Sequence, residues 1–315
     1  MKLQQLRCLI EVARRGLNVS EAAEALHTSQ PGVSKQIRAL EDELGVEVFV
    51  RHGKRLVAVT EPGKAVVAIA ERMLAEAQNL RRAGEEFAND QLGTLTIAAT
   101  HTQARYALPK AVAAFKQRYP KVELVIHQGN PTQICDQVAA GDADLCVATE
   151  MISQYPELVS LPVYQWNRCV VVPAKHPLLK ETPLTLEKLA EHPIVTYDFA
   201  FANRSLVQKA FEARGLKPHV VLSAQDSDVI KTYVELGLGV GILAKMAFDA
   251  KRDVLLRAID ASHLFESSTT RLGIKRGAYL RRYAYDFIEM FAPHLARATI
   301  ERAVRGETEG ARYDV

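Results

Sequence analysis

Cysteine is scarce in this 315-residue chain: Cys8, Cys135, Cys146 and Cys169 lie far apart, with neither a CxxC pair nor a histidine cluster beside them. That spacing gives no zinc ribbon or finger, so no metal site is expected and isolated buried thiols are the simplest state. No window approaches the roughly 20 apolar residues needed to cross a bilayer. The opening MKLQQLRCLIEVARRG alternates polar and apolar residues at helical spacing instead of running apolar up to a cleavage site, so neither a signal peptide nor a membrane partner is expected, and the expected location is the cytoplasm. Low-complexity tracts are absent. Excess charge is small as well: the formal net charge is +3 and the pI about 8.6, too weak a bias to point to nucleic acid by itself.

Catalytic signatures are also missing. No serine, histidine and acid set occupies a nucleophile motif. Gly237, Gly239 and Gly241 imitate part of a dinucleotide fingerprint, but they follow a helix and precede a strand, the reverse of the Rossmann context, and read as a helix stop and tight turn. Asp226 and Asp228 precede a helix carrying Val229, Ile230 and Val234, where capping accounts for both better than paired acid and base work. The expectation is no enzyme, no catalytic residue and no cofactor.

What is present is a chain with 48% hydrophobic and 24% charged residues, an ordinary globular balance, long enough for about two separate cores. Leu3, Leu6, Ile10 and Ala13 recur every three or four residues and predict a helix ending near Gly16. Asn18 and Glu21 have capping-box spacing ahead of a short helix with Val19, Ala22, Ala23 and Leu26. After a turn at His27 and Thr28, Ser29 caps a third helix with Pro31 in its first turn. Val33, Ile37, Leu40 and Leu44 form the expected inward stripe of that helix, leaving Pro31, Ser34, Lys35 and Arg38 outside.

Two short helices joined by a tight turn, the second polar and basic at its start, suit a major-groove reader. Gln30 has the amide for paired contacts to adenine, Lys35 or Arg38 can reach guanine or phosphate, and Thr28, Ser29 and Ser34 can bond phosphate oxygens. A plain solvated helix pair would look similar. The next segment decides for DNA: Glu47 to Arg51 and Leu56 to Val59 read as two strands joined through Gly53, a wing with Arg51, His52, Lys54 and Arg55 at its tip. Thr60 then caps a helix running to about Ala88, some 40 Å long at 1.5 Å per residue. Its stripe of Val66, Ile69, Met73, Ala77, Leu80 and Phe87 would be exposed in a single copy and predicts pairing with a second chain.

Residues 17–63, LNVSEAAEALHTSQPGVSKQIRALEDELGVEVFVRHGKRLVAVTEPG, resemble the LysR-type transcriptional regulators. The likeness continues through GTLTIAATHTQARYALP at residues 93–109 and through YQWNRCVVVP, DVIKTYVELGLGVGI and DASHLFESS, and covers the chain to about residue 300. It is strongest to the CysB-like branch, which controls sulfur assimilation and cysteine biosynthesis. The resemblance implies a dimer of dimers that binds and bends promoter DNA, acts with RNA polymerase as a further partner, and senses a small molecule.

Independently of that resemblance, residues 94–292 alternate strand-like and helix-like segments, which implies parallel α/β sheets. The expected organisation is a winged helix-turn-helix at 1–60, a linker and dimerisation helix at 61–92, a two-lobed, periplasmic-binding-protein-like α/β effector domain at 93–300, and a frayed tail at 301–315. Lobe I is expected at about 93–162 and 269–292, and lobe II at about 163–268. Such lobes bind ligands at the carboxyl ends of their strands. The first strand runs into Thr100, His101, Thr102 and Gln103 at a helix start, a setting for a small oxyanion or for ordinary capping.

The resemblance favours the oxyanion, because it implies an anion site at Thr100, Thr102, Gln103 and Thr149. It also implies a fifth hydroxyl in an F-T-G-R-S segment that here reads Phe201, Ala202, Asn203, Arg204, Ser205. Ala202 removes one donor, a change worth about 1.5–3 kcal/mol and one to two powers of ten in affinity. Sulfate, O-acetylserine, N-acetylserine and adenosine phosphosulfate are all candidate effectors. Trp166, the single tryptophan, lies in the expected crossover, where a cleft and a core role are both open. A paralogous regulator of sulfonate or other sulfur sources is the neighbouring reading, and a two-lobed solute-binding protein the reading from another class, against which residues 17–59 stand.

Overall fold

A computed structural model describes residues 1–53, 55–88, 91–149, 151–198 and 206–307. It divides into two compact units, Met1–Phe87 and Ala88–Val315.

The first unit begins with α1 (Leu3–Arg14), α2 (Val19–Ala25) and α3 (Gln30–Leu44). Leu6, Leu9 and Val12 of α1 meet Val33, Ile37 and Leu40 of α3 in one core. Asn18 accepts from the amides of Ser20 and Glu21 at 3.1 and 3.2 Å, and Ser29 from Gly32 at 3.2 Å, so both short helices start where their capping residues predict. Leu44 departs from its expected place. The helix ends at Gly45, in the left-handed region at φ 69°, and Leu44 is 40% exposed. Glu41 continues the inward face instead, 6% exposed and accepting from the amides of Val48 and Phe49 at 2.9 and 3.2 Å.

The wing is β1 (Phe49–His52) paired antiparallel with β2 (Arg55–Val59), His52 opposite Arg55 and Gly53 turning between them at φ 63°. Thr60 accepts from Gly63 N at 2.9 Å and opens α4 (Glu61–Ala88). Gly63 is needed there, since a β-carbon would lie 2.1 Å from the carbonyl oxygen of Val48. Val66, Val67, Ala70 and Leu74 join the core of this unit, whereas Ile69, Met73, Leu80 and Phe87 stay exposed, the last two at 75% and 89%.

The second unit holds two five-stranded sheets. Lobe I supplies β3 (Gly93–Ala99), a π-helical turn at Gln103–Ala107, α5 (Pro109–Arg118), β4 (Val122–Gln128), α6 (Pro131–Ala140), β5 (Leu145–Ala148) and β6 (Leu158–Trp166). Lobe II follows with β7 (Arg168–Pro173), α7 (Leu186–Ala190), β8 (Ile194–Tyr197), α8 (Leu206–Ala213), β9 (Val220–Ala224), α9 (Ser227–Glu235), β10 (Val240–Ala244) and β11 (Leu256–Asp260). The chain returns to lobe I through β12 (Ser268–Lys275), α10 (Arg282–Phe291) and α11 (Arg297–Val304). The sheet orders are β4-β3-β5-β12-β6 and β11-β7-β10-β8-β9.

Three expectations change here. The first crossover falls at Asn167, not near 163, because β6 pairs with β12 along its whole length, from Leu158 opposite Lys275 to Trp166 opposite Ser268. The stretch 301–304 is not frayed: Ile300, Ala303 and Val304 are buried in the lobe I core. Residues 308–315 of the expected tail lie outside the described residues. All four cysteines are buried and free, but Cys135 and Cys146 are not isolated, since their thiols share a hydrogen bond that, together with burial, pushes Cys146 up from the usual thiol range. Gly273 permits the fit, as a β-carbon there would lie 2.4 Å from the Cys146 sulfur.

Candidate functional site

Two surfaces gather the residues singled out above. On the first unit, Thr28, Ser29, Gln30 and Pro31 are exposed at the start of α3, with Ser34 half-buried one turn on and Lys35 and Arg38 exposed after it. Gln30 Nε2 donates to Ser34 Oγ at 3.3 Å, which lays the amide along the first turn of the helix. The hydroxyl of Ser29 caps the helix and keeps its own proton to donate. Arg55 and His52 are exposed beside the wing turn, while Lys54 lies outside the described residues.

Arg51 differs from expectation. Its guanidinium is not at the tip but half-buried against Glu41, with Nη2 2.5 Å from Oε2. Glu41 thereby fastens the wing to α3 with two amides and one guanidinium. The cause is the inward turn of Glu41 after Leu40, which leaves a buried carboxylate that must be satisfied.

On the second unit, a cavity of about 380 Å³ opens where the strands of both lobes end. Thr100, His101, Thr102 and Gln103 after β3, Gln128 to Pro131 after β4 and Thr149 after β5 form one wall; Thr196 to Asp198 and Ala224 to Asp226 form the other. Trp166 and Arg168 close it at the crossover. Thr100, Thr102, Gln103, Thr149 and Trp166, all expected on the sequence, therefore share one cavity. Ala202 lies outside the described residues.

The contacts revise individual roles. Gln103 is 1% exposed, and its carboxamide is committed to the framework: Nε2 donates to Thr270 Oγ1 at 3.2 Å, and Oε1 accepts from the Tyr164 hydroxyl. What it can offer a ligand is its backbone N–H, one of those that a helical start leaves without an internal partner. Thr102 Oγ1 lies 3.3 Å from Ser227 Oγ, which lies 2.7 Å from the Tyr197 hydroxyl, so a chain of hydroxyls crosses from lobe I to lobe II. Burial pushes Tyr197 up, and it remains a neutral donor.

Beside this chain sits a charge cluster. Asp228 accepts from the Tyr106 hydroxyl at 2.6 Å and pairs with Arg105 at 2.5 Å and Lys231 at 3.2 Å; His101 Nε2 is 3.7 Å away. Burial pushes the Asp228 carboxyl up, yet Tyr106, Lys231 and Arg105 together hold it below the usual carboxylate range. Lys231, itself desolvated, is held above its ordinary value by Asp253 at 3.0 Å and by Tyr106. Asp226 caps α9 through Val229 N at 2.8 Å, as expected; Asp228 does not.

Sequence reasoning missed Glu41, the Asp228 cluster and Arg168. Arg168 is 6% exposed, lies 4.9 Å over the Trp166 ring and donates Nη1 to the Glu266 carbonyl at 3.2 Å. At the sequence level it is only the first residue of an apolar strand.

Comparison with known proteins agrees with this division. Residues 3–64 match the bacterial regulatory helix-turn-helix model of the LysR family, and residues 88–296 match the LysR substrate binding domain. The chain is 56% identical over 309 residues to the HTH-type transcriptional regulator CysB of Burkholderia cenocepacia, covering 98% of this chain and 99% of that one. It is 54% identical to the regulator SsuR of the same organism, over 97% and 99% of the two chains. The crystal structure of the cofactor-binding domain of the Cbl transcriptional regulator superposes with a TM-score of 0.66 at 44% identity, covering 69% of this chain and 95% of that one.

The chain belongs to the LysR family of DNA-binding transcriptional regulators, and it is not an enzyme. Within the family it stands with the regulators CysB, SsuR and Cbl. No described helix is long and apolar enough to cross a membrane.

Proposed function

We propose that this regulator reads sulfur-assimilation promoters with the α3 and wing surface and takes its signal from a small oxyanion or sulfur metabolite bound between the lobes of the second unit. The observation that carries the reading is the convergence of Thr100, Thr102 and Thr149 with a helical start on one cavity. Neutral hydroxyls and backbone N–H groups are the donors suited to a desolvated oxyanion. The effector acts by binding one disposition of the lobes better than another, and two pairs of chains carry the readers to promoter DNA, with RNA polymerase downstream.

Gln30, Lys35 and Arg38 are assigned to base edges or nearby phosphates, Thr28, Ser29 and Ser34 to phosphate oxygens, and Arg55 and Lys54 to the phosphates beside the wing. Arg51 is assigned to holding the wing. Ala202, in place of the threonine that the resemblance implies, shifts preference away from sulfate toward a larger sulfur metabolite, and Ala202→Thr is expected to raise sulfate affinity.

The test is binding to a sulfur-assimilation promoter, titrated with sulfate, O-acetylserine, N-acetylserine and adenosine phosphosulfate. Gln30→Ala is expected to flatten preference between DNA sequences. Arg55→Ala is expected to weaken specific and random DNA alike and to reduce the salt slope by about one. Absence of sequence-specific binding under every condition would overturn the reading.

A further inference from the structure

We propose that Tyr106 and Asp228 form a latch that holds the two lobes together from outside the effector cavity, and that the π-helical turn carrying Tyr106 ties this latch to the cavity. The latch follows from contacts between the lobes; its effect on ligand affinity rests on the effector reading above. Tyr106 reaches from lobe I onto lobe II, where its ring packs against the core of Cys169, Val171, Ile230 and Val234. Its hydroxyl donates to Asp228 at 2.6 Å. Lys231, one turn further along α9, is buried and fixed on its own lobe by Asp253 and by the Ala247 carbonyl, each at 3.0 Å. From there it donates to the Tyr106 hydroxyl at 3.1 Å. One hydroxyl thus both gives and receives a hydrogen bond across the lobes, and Arg105 adds an ion pair to Asp228 on the outer side.

π-helical turns are rare and gather at functional sites. In this one the amide of Leu108 donates to the Gln103 carbonyl, five residues back, at 3.0 Å. Its first residue, Gln103, lines the cavity, whereas its third and fourth, Arg105 and Tyr106, make the latch and stand outside the cavity lining. Lobe II repeats the arrangement, with Asp226 at the cavity and Asp228 at the latch. Cavity and latch therefore share two short stretches of backbone and no side chain. Between them runs the hydroxyl chain from Thr102 through Ser227 to Tyr197. Thr102 and Tyr197 belong to opposite walls of the cavity, so the disposition that the latch holds is the one in which both walls reach a single ligand. Arg105 is exposed and Asp228 half-buried, so water can take over both charges when the lobes part, and the latch is reversible.

Hydrogen exchange of the full-length protein without ligand tests the latch, at labelling times over which β3 and β10 stay protected in the wild type. Tyr106→Phe, which keeps the ring, and Asp228→Asn are each expected to speed exchange about three- to tenfold in Gln103–Ala107 and Ser227–Lys231 together, with β3 and β10 still protected. Unchanged exchange in both segments overturns the proposal, and so does loss of protection in β3 and β10 alongside them, which would make Tyr106 a support of the core. Calorimetric titration with sulfate and with N-acetylserine tests the tie to the cavity. A latch that never touches the ligand changes only the fraction of protein ready to bind, so Tyr106→Phe is expected to weaken both ligands by the same factor, to within about twofold. Unchanged affinities, or a loss for one ligand alone, overturn that tie. Failure of the wild type to bind either ligand would instead remove the effector reading, and the exchange measurement would still decide the latch.

Discussion

At the scale of single residues, the instructive contrast is between Asp226 and Asp228. Both precede an apolar helix and look like caps, and only the first is one. Asp228 pairs with Lys231 one helical turn on, but it also turns across the lobes to Arg105 and Tyr106, partners far upstream in the chain that leave no local pattern to read. Because its folded carboxyl is held below the ordinary range, its contribution to stability is present above the unfolded carboxylate pKa, about 3.9, and is lost as pH falls through the lower folded value. The side chain is 35% exposed, so after solvent screening the contribution is about 1 kcal/mol or less. Asp228→Asn is therefore expected to lower the melting temperature by a few degrees at pH 7. The gap to wild type should close below about pH 4. Scanning calorimetry between pH 7 and pH 3 checks this, and parallel curves throughout would contradict it. Glu41 and Arg168 were hidden for the same reason: a charged residue on a patterned helix or at a strand start reads as solvated until the chain elsewhere is folded over it.

Elements were more legible than residues. The first three helices and the wing could be read because capping residues, a 3.6-residue stripe and a glycine turn agree locally. Leu44 misled because it is the last residue of the helix, where Gly45 ends the helix and Glu41 has already taken the inward position. The crossover was misplaced because β6 and β7 are separated by Asn167 alone, without the Gly or Pro cluster that marks most turns. The long α4 was legible both in extent and in its unused face. Leu80 and Phe87, at 75% and 89% exposure, contribute nothing to the fold of one chain, yet burying each against a second copy would be worth about 1.5–3 kcal/mol. Leu80→Glu is thus expected to weaken chain pairing by at least tenfold and leave the folding of the first unit unchanged. Sedimentation across a concentration series, with circular dichroism alongside, reads both effects. An unaltered mass distribution would show that this stripe is not the pairing face.

At the scale of the whole molecule, a net charge of +3 carries little of the function, which lies in where a few donors are placed. Regulation adds a thermodynamic constraint that needs no knowledge of the operator. If the effector changes promoter affinity by some factor, promoter DNA must change effector affinity by the same factor, because both are one coupling free energy. A tenfold effect corresponds to about 1.4 kcal/mol, and an effector with equal affinity for the free and DNA-bound assemblies regulates nothing, however tightly it binds. The expectation is that N-acetylserine, titrated into protein with and without saturating promoter fragment, shows two dissociation constants. Their ratio should equal the ratio of promoter dissociation constants measured with and without saturating N-acetylserine. A ratio of one in both titrations would mean that N-acetylserine holds both assemblies equally, and that the choice between them is made by another ligand.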